Sequence, residues 1–119
     1  MTSALVSTQW LAENLAAPRI KIIDASYFPP NIKRNPKAEY LAAHIPGAIF
    51  FDIDGIADQS VTLPHMLPSA AFFAEKISEL GIENDDLVVA YDSHGLCSAP
   101  RAWWMFRAMG HEKVVVLNG

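Results

Sequence analysis

Cysteine is nearly absent from this sequence: Cys97 is the only one in 119 residues. A single thiol cannot close an internal disulfide, so nothing covalent staples the fold, and the chain suits a reducing compartment. Basic runs are missing as well. Nine lysines and arginines stand against thirteen acidic residues, for a net charge of −4, which argues against a nucleic-acid partner. No apolar stretch approaches the roughly 20 residues that cross a bilayer, so no membrane partner is expected. The opening MTSALVSTQW has no basic segment ahead of an apolar one, as a secretory signal requires. Repeats and low-complexity segments are absent too. These gaps leave a cytoplasmic globular protein, with a mitochondrial location compatible if the source is eukaryotic.

What is present suits one compact domain over residues 1–119. Hydrophobic residues make up 51% and charged residues 18%. A chain of this length buries roughly two thirds of its unfolded surface without help from metal or disulfide.

Strand and helix patterns alternate along the chain. LVSTQWLAENL opens with a short apolar piece and continues as a helix capped by Ser7, with Trp10, Leu11 and Leu15 on one face. RIKIIDA (19–25) is β-branched and reads as a strand ending near Asp24. Three prolines and two asparagines make SYFPPNIKRNP a loop. PKAEYLAAH (36–44) reads as a helix with Asn35 as cap and Pro36 in its first position. After the Pro46–Gly47 turn, AIFFDI (48–53) is a strand, and GIADQSVTLPHMLP is irregular. SAAFFAEKISELG is the clearest helix: Ser69 caps it, Phe73, Ile77 and Leu80 recur at helical spacing, and Gly81 ends it. DLVVAYD (86–92) is a strand apolar on both faces. A helix follows from about Ser98 to Gly110, and EKVVVLNG is a last strand. The alternation predicts an α/β fold with a mainly parallel sheet, whose sites form at the carboxyl ends of the strands. A final buried strand with nothing after it is expected to leave one sheet face short of cover, as if the chain were truncated after LNG.

The loop after VVAYD holds such a position. Its backbone N–H groups and the following helix start suit an anion such as a phosphate, thiolate or persulfide. Its first residue, however, is Asp92, whose carboxylate can take those N–H bonds itself and repel an incoming anion. Cys97 stands at the other end, beside a helix start that lowers a thiol pKa. A small apolar filler is the favoured reading of Cys97 over a reactive thiol. Cysteine phosphatases set an arginine at a fixed distance beyond the nucleophile; counted from Cys97 that place falls on Trp103, and Arg101 comes too early. His94 and Cys97 have ligand-like spacing, and His65 and His111 could join them, but no second pair completes a zinc pattern, so no metal is expected. Arg101 and Arg107 are expected to pair with carboxylates such as Asp24 or Asp92. His44 is expected to bond backbone at a turn, and His111 to be exposed. Trp103, Trp104 and Phe106 read as core or interdomain packing.

The segments EYLAAHIPGAIFFDID, LPHMLP, VVAYDSHGLCSAPRAWWMFRAMGH and VVVLNG resemble the N-terminal rhodanese domain of two-domain 3-mercaptopyruvate and thiosulfate sulfurtransferases, in order and over nearly the whole chain. The resemblance implies a five-stranded, mainly parallel sheet with helices on both faces and no cofactor. It also implies sulfur transfer from a small-molecule donor to thioredoxin, another thiol or cyanide, through a persulfide on a cysteine of the C-terminal rhodanese domain. That cysteine opens the loop after the fourth strand. Here Asp92 holds the matching place, so the chain resembles the half without the nucleophile. The resemblance further implies that Asp54 and His65 form a supporting relay, in which Asp54 orients His65 and His65 moves a proton. It implies an interdomain pocket lined by Asp92, His94, Leu96 and Cys97. The family often has tyrosine in the place of Cys97, so a second thiol near the persulfide is a departure. A nucleophile-free binding or regulatory module is the competing reading.

Overall fold

A computed structural model of the chain describes residues 5–15, 17–26, 35–51, 70–92 and 99–118. Five strands form one sheet: β1 (Leu5–Ser7), β2 (Ile20–Asp24), β3 (Ile49–Phe50), β4 (Leu87–Tyr91) and β5 (Val114–Asn118). Their order is β1-β5-β4-β2-β3, and every pairing is parallel. Among the described residues, four helices lie between them: α1 (Thr8–Asn14), α2 (Pro36–Ala42), α3 (Ala70–Glu79) and α4 (Ala99–Ala108). Parallel pairing gathers the carboxyl ends of all five strands at one edge and their amino ends at the other.

Local chemistry sets the helix limits. Ser7 Oγ accepts the Trp10 N–H at 3.0 Å and starts α1, and Asn35 Oδ1 accepts the Ala38 N–H at 3.0 Å and starts α2. Each bond satisfies an amide that the first helical turn leaves unpaired. Past the ends of α3 and α4, Gly81 and Gly110 adopt φ of 83° and 90°, where a side chain would be strained.

Strand alternation divides the core into two layers. On one face, Ile23, Val88, Ala90, Val114 and Val116 pack against Phe73 and Ile77 of α3 and against Ala102, Met105 and Phe106 of α4. On the other, Ile22, Val89, Val115 and Leu117 meet Leu11 of α1, with Tyr40 of α2 alongside. Phe106 is inaccessible to solvent. Its ring meets Phe73 edge-on at 5.2 Å and Phe51 at 5.6 Å. Burying one such side chain contributes about 1.5–3 kcal/mol.

Three details differ from the sequence reading. Leu5–Ser7 is a strand, not merely a short apolar piece, and pairs with β5. Both faces of β5 are covered, since α1 packs over Val115 and Leu117, so the face expected to lack cover has it. Leu15 is 40% exposed, because α1 ends at Asn14 and carries Leu15 past its buried face. Ser69, Ser98 and residues 52–53 of the third predicted strand lie outside the described residues.

Candidate functional site

The carboxyl edge of the sheet carries most of its polar groups on β2 and β4. At the end of β2, Asp24 Oδ1 accepts both the Ser26 N–H at 3.0 Å and the Ser26 hydroxyl at 2.6 Å. Both residues are buried, so the carboxylate folds the backbone over itself in an Asx turn. The strands run on as backbone bonds beyond their formal ends. The Ala25 N–H reaches Tyr91 O at 2.8 Å, and the Phe51 N–H reaches Asp24 O at 2.8 Å.

Beside Asp24 stands Tyr91. Its hydroxyl accepts the Ile45 N–H at 3.3 Å. Burial first, and then the Asp24 carboxylate, push the phenol up to about 12 against the opposing Ile45 bond. Tyr91 therefore stays neutral and acts as a hydrogen-bonding post rather than an acid. Asp24, Ser26, Glu39, His44, Ile45 and Tyr91 line a cleft of about 470 Å³ between this edge and the end of α2. Tyr40 fixes that end by donating to Ala48 O at 2.6 Å. The His44 ring stacks on Tyr40 at 4.2 Å, and its Nδ1–H donates to Tyr40 O at 2.7 Å. The backbone bond expected of His44 is present.

Asp92 follows β4 directly. Its Oδ2 accepts the Ala99 N–H at 2.6 Å, so one carboxylate ties the end of the strand to the first residue of α4. Accepting a helix's leading amide in this way contributes about 0.5–2 kcal/mol. The oxygen occupies the helix amide that an anion at this position would seek. Asp92 is the one member of the sequence-derived site within the described residues. Asp54, His65, His94, Leu96 and Cys97 lie outside them. No group of three potential metal ligands exists among the described residues, and no described helix is long and apolar enough to cross a membrane.

Two arginine pairings differ from expectation. Arg107 reaches Glu112 at 4.0 Å, rather than Asp24 or Asp92. Arg101 meets no carboxylate among the described residues; its guanidinium lies over the Trp104 ring at 4.7 Å, and its Nε is buried without a hydrogen-bond partner.

The amino edge is built differently. Asp86 is inaccessible to solvent. Its Oδ2 accepts the Glu83 N–H at 2.8 Å, and Arg19 and Lys21 each approach within 3.6 Å. Burial favours the protonated acid, but the Glu83 amide and the two cations together outweigh it and lower the pKa. His111 is partly buried rather than exposed, because its Nε2–H donates to Asp86 O at 2.9 Å and its ring meets Phe106 edge-on at 5.4 Å. The hydrophobic strand pattern gave no sign of this network, which joins residues far apart in sequence. The cleft residue Ser26 had a local signal in the D-A-S order after β2.

The sequence signature of the rhodanese-like domain matches residues 7–119. The chain belongs to the rhodanese family. It is similar to a thiosulfate/3-mercaptopyruvate sulfurtransferase named as mitochondrial in Arabidopsis thaliana, with 56% identity over 97% of this chain and 30% of that protein. The 3-mercaptopyruvate sulfurtransferase of Escherichia coli is 49% identical over 99% of this chain and 42% of its own length. A crystal structure of SseA from Escherichia coli, described as a 3-mercaptopyruvate sulfotransferase, superposes with a TM-score of 0.91 at 49% identity, over 98% of this chain and 45% of that one. The five-stranded parallel sheet is thus the rhodanese fold. This rhodanese domain spans 30%, 42% and 45% of the length of these three proteins, less than half of each.

Proposed function

We propose that this chain is the N-terminal, nucleophile-free lobe of a two-domain sulfurtransferase. The parent protein moves sulfane sulfur from 3-mercaptopyruvate or thiosulfate to a thiol, thioredoxin or cyanide, through a cysteine persulfide in its second rhodanese domain. The observation that supports this reading is the placement of Asp92. It stands first after β4, where the family's catalytic cysteine would stand, and it accepts the Ala99 amide of α4. A carboxylate so engaged carries no sulfur and repels an incoming anion.

This lobe then shapes the pocket. His94, Leu96 and Cys97 follow Asp92 in the same loop and border the interdomain site. Taking the sulfur of mercaptopyruvate as a sulfane atom leaves an enolate carbon that needs a proton, and His65, oriented by Asp54, supplies or relays it. Thiosulfate leaves as sulfite and has no such need. Replacing His65 by Gln in the parent enzyme should therefore slow turnover of mercaptopyruvate more than that of thiosulfate.

The test begins with the intact mass of the native gene product, expected to include a second domain with a cysteine loop. That product should convert cyanide to thiocyanate, and the 119-residue chain alone should not. Robust conversion by the isolated chain, or persulfide on Cys97 after incubation with donor, overturns the reading. A gene product that ends as a single domain and transfers no sulfur favours the binding-module alternative.

A further inference from the structure

α4 carries two arginine–tryptophan stacks that differ in one respect. Arg107 lies over Trp103 at 5.1 Å and has Glu112 for a counter-charge. Arg101 lies over Trp104 at 4.7 Å and has no carboxylate among the described residues. Its Nε is sealed from water with no acceptor, and burial pushes the guanidinium below its ordinary pKa with no acidic neighbour to oppose it. A buried donor left unmade costs about 1–3 kcal/mol, and more when it is charged. Trp104, the plate on which Arg101 rests, is 44% exposed. Tryptophan and arginine are both enriched among the residues that dominate binding energy at protein interfaces.

Place in the fold adds a second constraint. Arg101 sits in the first turn of α4, whose leading amide is tied to Asp92, so the stack flanks the carboxyl edge rather than the amino edge. More than half of the Arabidopsis thaliana and Escherichia coli sulfurtransferases named above lies outside the part this chain covers. We propose that Arg101 and Trp104 form a docking point for the second lobe of the parent protein, which offers an aspartate or glutamate to the guanidinium fork and an apolar side chain to the indole. The inference rests on the two-domain reading above. A planar guanidinium donates two parallel hydrogen bonds to one carboxylate.

Hydrogen exchange on the full-length protein and on the 119-residue chain tests it. Amides of residues 99–108 should exchange roughly tenfold more slowly in the full-length protein. Arg101→Met should remove that difference, Arg101→Lys should restore part of it, and Arg101→Met in the 119-residue chain should leave the Tm within about 2 °C. Equal exchange of α4 in the two wild-type proteins overturns the proposal without any variant. So does a fall in Tm for Arg101→Met that is as large in the short chain as in the full protein, since the carboxylate then belongs to this chain, for example to Asp52 or Asp58. Thiocyanate formation by the wild-type full-length protein reports separately on the functional reading, and a gene product with no second lobe overturns both.

Discussion

The two edges of the sheet solve the same problem in opposite ways. At the amino edge, a buried carboxylate is answered from within: Asp86 takes the Glu83 amide, Arg19 and Lys21, and its own carbonyl takes His111. At the carboxyl edge, Asp24 and Asp92 are engaged by short-range backbone or hydroxyl donors, while the charged Arg101 lies over an indole face and meets no carboxylate among the described residues. Asp86 also keeps one buried oxygen, Oδ1, without a hydrogen bond, so the contrast lies in the counter-charges, which Arg19 and Lys21 supply at the amino edge.

The largest effect should come from the one side chain both edges share. Phe106 touches Phe51 near the carboxyl edge and Phe73 and His111 toward the amino edge. Phe106→Ala should lower stability by about 3–5 kcal/mol in urea unfolding. A loss below about 1 kcal/mol would show that the two ends are not joined through this core.

Asp86→Ala comes next, at about 1–3 kcal/mol, because it strands the Glu83 amide. Its pH dependence sharpens the contrast. The folded pKa of Asp86 lies below its unfolded value, so the carboxylate stabilises the fold above about pH 4. That stabilisation fades as pH falls through the folded value. Stability curves of wild type and Asp86→Asn should converge in acid and separate toward neutral pH; a constant gap down to acid would mean that charge plays no part at this edge.

At the carboxyl edge, Asp92→Ala should cost about 1 kcal/mol, and Asp92→Asn less, because the amide oxygen can still accept the Ala99 N–H. A larger loss than that of Asp86→Ala, measured by the same urea titration, would reverse the ranking of the two edges. The smallest effect belongs to the exposed Arg107–Glu112 pair at the end of α4. Glu112→Ala should change stability by no more than about 0.5 kcal/mol, since solvent screens the Arg107 contact, and a thermal scan in low and high salt should show little difference.

The fold was legible where its cause is local. Ser7, Asn35, Gly81 and Gly110 each act within one helical turn, and the apolar runs of β2, β4 and β5 need only their own residues to be read. β1 was missed as a strand because three residues carry no period; its pairing with β5 comes from the far end of the chain. The same reason explains His111, whose acceptor on Asp86 is 25 residues away, and the arginines, whose partners depend on which way α4 turns its sides. For the site, Asp92 was legible from its position after the strand, and the bond to Ala99 gives that position a physical consequence. Arg101 was visible only as one letter in SAPRAWW, since a missing counter-ion leaves no mark on a sequence.

The pairing of β1 with β5 has a consequence for biosynthesis. Leu5 emerges from the ribosome early, but Val116, its partner in the ladder, arrives roughly a hundred residues later, and loop closure over that span is slow. During translation the first strand and its helix wait without a seat, with Leu11 and Trp10 open to chaperones. A nascent chain stalled before Val114 would lose the tail and would also release the head.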